Sequence, residues 1–178
     1  MKLAKEVWIH VGYDFCARNG FEQLKIERLA KLVGKSKSSF YQQFIDLENY
    51  FGFLFELHLQ NCFIIAEKET IAKSIDPDLI DILVEHKIDL LFNKQLRIHR
   101  IDVKFEEIIL KSNAMVAAPF LKLWKENLKL NLGEDQLAGI FQLALENFYL
   151  QINPKNLERG WLITYFSNLK SLLESIAK

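Results

Sequence analysis

Apolar residues recur along the chain at the three- and four-residue spacing of an α-helix, and sharp breaks separate the repeats. Trp8, Val11, Phe15 and Cys16 share one helical face that stops at Asn19-Gly20, where glycine suits a C-terminal cap. A short second helix carries Ile26, Leu29, Ala30 and Val33 inward and ends at Gly34. Ser36 then reads as the N-cap of a third helix, with Phe40 and Phe44 four apart on it. Asp46 caps a fourth, longer one through Tyr50, Leu54 and Leu57.

Longer helices follow. Asp76-Pro77 begins one that runs to about Asn93, proline being suited to a first helical turn. Ile98, Ile101, Phe105, Ile108 and Ile109 mark another, and Pro119 opens a third through Leu130. Gly133 separates this from a helix with Leu137, Ile140, Phe141, Ala144, Leu145, Phe148, Tyr149 and Ile152 inward. Asn153-Pro154 turns the chain into a last helix bearing Leu162, Tyr165, Phe166, Leu169, Leu172, Leu173 and Ile176. No internal repeat or flexible linker interrupts the series. The expected fold is all-α: a three-helix module over residues 1–46, then a larger helical bundle over 47–178 that shares the helix after Asp46.

Composition narrows the classes further. Only 7 Gly and 3 Pro in 178 residues are too few for the frequent turns of an all-β fold. Half the residues are hydrophobic and the net charge is zero, which excludes a disordered chain. No apolar run approaches the roughly 18 residues of a membrane span, because Glu56, His58, Lys122 and Lys125 break the richest stretches. His10, Asp14 and Arg18 likewise interrupt any signal-peptide core. Cys16 and Cys62 lie far apart in helical patterns, as two buried, reduced thiols of a cytoplasmic protein would.

Catalytic spacings are missing. A di-iron bundle needs Glu-x-x-His, which does not occur, and His10, His58, His86 and His99 lack the His-Glu-x-x-His spacing of a zinc site. There is no glycine-rich phosphate loop or nucleophile elbow. The sequence therefore points to no enzyme, metal or cofactor.

The chemistry concentrates between residues 24 and 43, where Lys25, Arg28, Lys31, Lys35 and Lys37 face one acid, Glu27. Two short helices joined across Val33-Gly34-Lys35-Ser36 form a helix-turn-helix pattern, in which the second helix presents its N-terminal residues to the major groove. With Phe40 and Phe44 inward, Lys37, Ser38, Tyr41 and Gln42 fall on the opposite side. Lys37 offers charge to phosphate, Tyr41 a hydroxyl donor, and Gln42 an amide able to read adenine.

The run from Trp8 to Tyr50 resembles the DNA-binding domain of TetR-family transcriptional regulators. The resemblance is carried by Phe15-Cys16-Ala17-Arg18-Asn19-Gly20-Phe21, by Ile26 to Gly34, and by the Ser36-Lys37-x-x-Phe40-Tyr41-x-x-Phe44 core with Asp46-Leu47-Glu48-Asn49-Tyr50 after it. It covers the first third of the chain. It implies a double-stranded DNA operator met by Ser36, Lys37, Ser38, Tyr41 and Gln42, with Lys25 and Lys35 adding phosphate charge. Leu24 and Lys25 stand where the family commonly has a Thr pair, and Leu47 where it often has a lysine.

The same resemblance implies a bundle that dimerises and holds a ligand. The stripes of the last two helices nominate Phe141, Leu145, Phe148, Tyr149, Leu162, Phe166 and Leu169, with Trp161 and Tyr165 beside them, as a homodimer interface. Phe92, Phe105, Ile109 and Trp124, joined by Met115 and Leu128, are candidate walls for a small apolar effector, with His99, Asp102 or Glu106 as a polar anchor. The alternative is a helical interaction protein that keeps this architecture with weak or lost DNA binding, as the departures at Leu24, Lys25 and Leu47 would allow.

Overall fold

A computed structural model describes residues 2–128 and 133–176 of the chain; the expected helix end at Leu130 and the side chains of Leu128 and Ile176 lie outside what it describes. All of its regular structure is helical, with no strand among the described residues, and none of those helices is long and apolar enough to cross a membrane. Three helices come first: α1 (Lys2–Asn19), α2 (Ile26–Val33) and α3 (Lys37–Tyr41). The long α4 (Leu47–Ile71) leads to α5 (Ile80–Glu85), α6 (Lys87–Ile98), α7 (Val103–Leu128), α8 (Glu134–Gln151) and α9 (Arg159–Ile176).

Local chemistry sets the early boundaries. Gly34 adopts φ 70°, ψ 34°, the left-handed conformation that glycine tolerates, and Lys35 N–H reaches back to the Ala30 carbonyl at 2.9 Å. The Ser36 hydroxyl accepts from Ser39 N–H at 3.2 Å, and the Asp46 carboxylate from Asn49 N–H at 2.7 Å. Each satisfies a donor that the first helical turn leaves without an internal partner.

Three long-range expectations need correction. The helix expected from Asp76 to Asn93 is broken at His86, whose φ −96°, ψ 26° separates α5 from α6. The break brings the His86 ring onto Asp89, with Nδ1 2.9 Å from Oδ2. Ile98 closes α6 and Ile101 stands 97% exposed in the turn beyond it, so neither belongs to the helix of Phe105. Pro119, expected to open a helix, lies inside the continuous α7. Proline removes one internal hydrogen bond there, and packing on both sides holds the helix together: Ile108 and Ile109 are buried before it, Leu123 and Trp124 after it.

One hydrophobic cluster runs from Trp8 in α1 to Phe166 in α9. Helix α1 packs on α6, and α4 lies along α7. Phe21 meets Phe51, Phe55, Phe92 and Phe105 edge to face, with ring centroids 5.0–6.1 Å apart. The first helices are thus joined to the bundle by shared core as well as by α4. Cys16 and Cys62 are buried and form no disulfide.

The tightest approach in this region is between α1 and α4. Tyr50 donates its hydroxyl to the Trp8 carbonyl at 2.6 Å, and a Cβ added at Gly12 would stand 1.7 Å from that hydroxyl. Gly12→Ala is therefore expected to destabilise the protein by about 1–3 kcal/mol through overpacking. The cost should shrink in a Tyr50→Phe background, where the offending oxygen is gone. Urea unfolding of both singles and the double variant measures this; equal costs in the two backgrounds would refute the contact.

Candidate functional site

Two places concentrate chemistry: the α2–α3 hairpin and a cavity in the bundle. On the hairpin, Lys25, Lys35, Ser36, Lys37, Ser38, Tyr41 and Gln42 are all exposed. The opposite side of the hairpin is anchored by Leu29, Ala30, Phe40 and Phe44, and Phe40 packs edge to face on Trp8 at 5.6 Å. Helix α3 is shorter than expected: Gln42 is its C-cap and lies just past its last turn, and Phe44, expected on this helix, lies beyond it, buried in the core. Arg28 spends its guanidinium over the Phe15 ring, 4.7 Å from the centroid.

The charges on this face are partly engaged. Lys37 forms an ion pair with Glu27, which raises the lysine pKa and lowers that of the acid, in both cases chiefly through their mutual hydrogen bond. Lys25 is the N-cap residue of α2 and makes no side-chain cap, while Leu24 is buried in the core. Leu24 thus anchors the start of α2 in the core, and that helix begins without a side-chain cap.

The residues nominated for a dimer interface are placed elsewhere. Phe141, Phe148, Tyr149, Leu162 and Phe166 are buried within the chain, and Leu145 and Leu169 pack against the same core. The wide apolar stripes of α8 and α9 thus pack into the protein's own bundle, with Leu145 and Leu169 partly buried. Outward, the two helices carry Leu143, Leu150, Ile163 and Leu172.

The cavity lies among helices α4 to α9. It encloses about 70 Å³ of open space, against the roughly 10–15 Å³ that one water needs on the same measure. Phe120, Trp124, Phe141, Phe148, Tyr165 and Phe166 give it aromatic walls, and its polar groups come from His58, Glu69, Asp89, Asn93, Ser112 and Asn113. Of the nominated ligand residues, Trp124 lines it. Phe92, Phe105 and Ile109 do not: Phe92 stacks on Tyr13 at 4.1 Å, Phe105 packs on Phe21 and Phe55, and Ile109 is fully buried. Met115 is also absent from its lining. His99 packs against Phe21 and Phe105, Asp102 accepts from Lys104 N–H, and Glu106 pairs with Arg100, so none of the three is its anchor.

The polar side of the cavity is one hydrogen-bonded network. Tyr13 donates to Asp89 Oδ1 at 2.7 Å, and Asn61 donates to the same oxygen at 2.7 Å. Since the tyrosine proton is committed, the 2.8 Å contact to His58 requires that His58 Nδ1–H donate to the tyrosine oxygen. His58 Nε2 then accepts from Asn93 at 3.2 Å, and Asn93 donates its other hydrogen to Ser112 Oγ at 3.0 Å. Ser112 donates to the Ile109 carbonyl at 3.0 Å, and Arg97 Nε donates to Asn93 Oδ1 at 3.0 Å. Arg97 continues to Asn113 at 2.8 Å and to Glu146. One assignment of protons satisfies the whole chain.

Electrostatics follow from this arrangement. Burial pushes the Asp89 pKa up, but hydrogen bonds from His86, Tyr13 and Asn61 outweigh it and hold the carboxyl below its usual range. Burial lowers His58 to about 4, against a smaller opposing pull from Asp89. Glu69, 4% exposed, is raised to about 8 by burial, and its Oε2 has no hydrogen-bond partner. Among the described residues no group of three or more His, Cys, Asp or Glu side chains is arranged to hold a metal ion.

These buried groups give stability a two-sided pH dependence. Glu69 keeps its proton in the fold to about pH 8, whereas an unperturbed glutamate releases it near 4.5; its contribution is full below 4.5 and is lost as pH rises through 8. His58 stays neutral in the fold to about pH 4 but ordinarily gains a proton near 6.5, so stability also falls as pH drops from 6.5 to 4. Glu69→Gln should remove the alkaline decline. Urea unfolding is expected to show the variant ahead of the parent by about 2 kcal/mol or more at pH 8 and by much less at pH 5. An equal gain at both pH values would mean that Glu69 is ionised in the fold throughout.

Compared with known proteins, the chain matches no family model, no curated protein and no solved structure, so what it does has to be inferred from this surface and this cavity.

Proposed function

We propose that the protein is a cytoplasmic DNA-binding transcriptional regulator of the TetR type, a homodimer on a palindromic operator whose grip responds to a small, largely apolar effector. The observation that carries this reading is the joint exposure of Lys25, Lys35, Ser36, Ser38, Tyr41 and Gln42 on the α2–α3 hairpin, the element that the sequence resemblance assigns to the major groove. The helix-turn-helix reading also accounts for Gly34 and Ser36: a left-handed stop followed at once by a cap permits the sharp turn between a bracing helix and a reading helix.

The cavity supports the effector half of the proposal. Asp89 lines it and also accepts from Tyr13 of α1, so a ligand acting on that wall acts on the seating of the reader. It can shift the balance only by its differential affinity for the two forms, on the order of 1–3 kcal/mol. Two readers must meet major grooves about 34–36 Å apart, hence the homodimer. Leu143, Leu150, Ile163 and Leu172 are the apolar groups that α8 and α9 still offer to it.

Lys37 favours a second reading. Its charge is paired within the chain, and α2 starts without a side-chain cap, as in a helical interaction protein that binds DNA weakly. Selection from random duplex DNA with a salt titration separates the two. A regulator should enrich an inverted repeat, with affinity falling by about 0.9 log units per log unit of salt for each phosphate contacted. Gln42→Ala should cost ~1–3 kcal/mol at one position of each half-site. Lys35→Ala should weaken all sequences alike and flatten the salt slope by about one contact, and Glu27→Ala should strengthen binding by releasing Lys37. Failure to enrich any sequence would select the second reading.

A further inference from the structure

The cavity contains a buried carboxyl oxygen that the protein's own hydrogen bonding leaves unanswered. Glu69 lies near the end of α4, lines the cavity, and is 4% exposed, yet its Oε2 has no partner among the described residues. The other buried carboxylate, imidazole, amide and serine hydroxyl around the cavity all have bonds. Asp89 accepts three, and His58, Asn93 and Ser112 are tied to one another. Buried polar atoms are nearly always satisfied, and an exception calls for an explanation.

The surroundings indicate what would satisfy it. The ionisable acids on the lining are Glu69 and Asp89, and neither lysine nor arginine is on it. Arg97, the nearest base of the network, is turned away from the space: its guanidinium lies over the Tyr149 ring at 4.3 Å and bonds Asn93, Asn113 and Glu146. An anion entering here would meet two acids and no lysine or arginine. A cation would meet an unpaired carboxyl and a wall rich in aromatic rings, Phe120, Phe141, Tyr165 and Phe166 among them, and aromatic rings can attract desolvated cations. The remaining apolar wall combines aliphatic side chains with Trp124 and Phe148, so the rest of the occupant must be hydrocarbon.

We propose that the cavity is a receptor for a small apolar organic cation, a protonated amine carrying a ring-sized hydrocarbon body, whose nitrogen donates to Glu69 Oε2. The assignment rests on the reading of the bundle as an effector chamber and names the chemical class of that effector. It does not depend on the hairpin's reading DNA. As the ammonium enters, Glu69 gives up to solvent the proton that burial makes it keep, and the ammonium supplies the compensation without which a buried carboxylate is unfavourable; its N–H donates to the carboxylate oxygen that the network leaves open.

The test uses three probes of one shape on the intact protein: 2-phenylethylamine, 2-phenylethanol and 3-phenylpropanoic acid, followed by calorimetry and thermal shift. The amine is expected to bind at least about tenfold more tightly than the alcohol, with the acid weakest. Glu69→Gln should erase the amine's advantage and leave the alcohol's affinity where it was. Ala144→Leu, which fills part of the cavity, should weaken all three. Equal affinity for amine and alcohol, or an amine preference that survives Glu69→Gln, would overturn the class of ligand while leaving an effector chamber in place. Failure of all three to bind at millimolar concentration would overturn both this assignment and the bundle's role as a chamber for ligands of that size. Binding undiminished by Ala144→Leu would place the site elsewhere and overturn the assignment as well.

Discussion

A single buried carboxylate organises the centre of this protein. Asp89 is 7% exposed, and an ionised carboxylate there is tolerable only with its lone pairs answered. The answers come from Tyr13 on α1, Asn61 on α4 and His86 at the break between α5 and α6. Because Tyr13 must point its proton at Asp89, His58 must carry its own on Nδ1. That leaves Nε2 as an acceptor, which fixes the orientation of the Asn93 amide and places Asn93 Oδ1 before Arg97. Reversing any one of these would set donor against donor several residues away. The network therefore specifies how α1, α4, α6 and α7 face one another, which apolar packing alone leaves adjustable.

The same network divides the cavity into two kinds of wall. Its polar side is saturated by internal bonds and is hard to rearrange, whereas its aromatic side offers surface without directional demands. Glu69 stands apart from the saturated side, and burial makes it retain its proton to higher pH than an ordinary glutamate. Arg97, held between Glu146, Asn113 and Tyr149, contributes its charge to the joint between α6 and α8.

What could be read from the sequence follows from how local each determinant is. Gly34, Ser36 and Asp46 act on backbone groups within a few residues, and the boundaries inferred from them agree with the observed helices. The break at His86 and the continuity of α7 through Pro119 depend on partners brought from other helices, and no window around either position contains that information. The polar side of the cavity was invisible for the same reason: Tyr13 and Asp89 are 76 residues apart, and Tyr13 and His58 are 45 apart. The stripes on α8 and α9 gave a different lesson. Periodicity tells which face of a helix is buried, but Phe148 and Phe166 would show the same spacing whether they faced their own bundle or another molecule. Glu69 had no sequence signal beyond being an acid on the inward side of a helix.

Helix α4 carries Asp46 at its head and Glu69 two residues before its end, without a proline between them. Its 25 residues make a rod of about 37 Å at 1.5 Å per residue. Such a rod acts as a lever arm: a rotation of roughly 3° pivoting at the Glu69 end displaces the far end by about 2 Å. The lever has a mechanical advantage in one direction only. Small adjustments around the cavity are magnified at α3, while a disturbance at α3 reaches the cavity much reduced in amplitude, so for the proposed regulator the sensitive end is the one that holds the carboxyl.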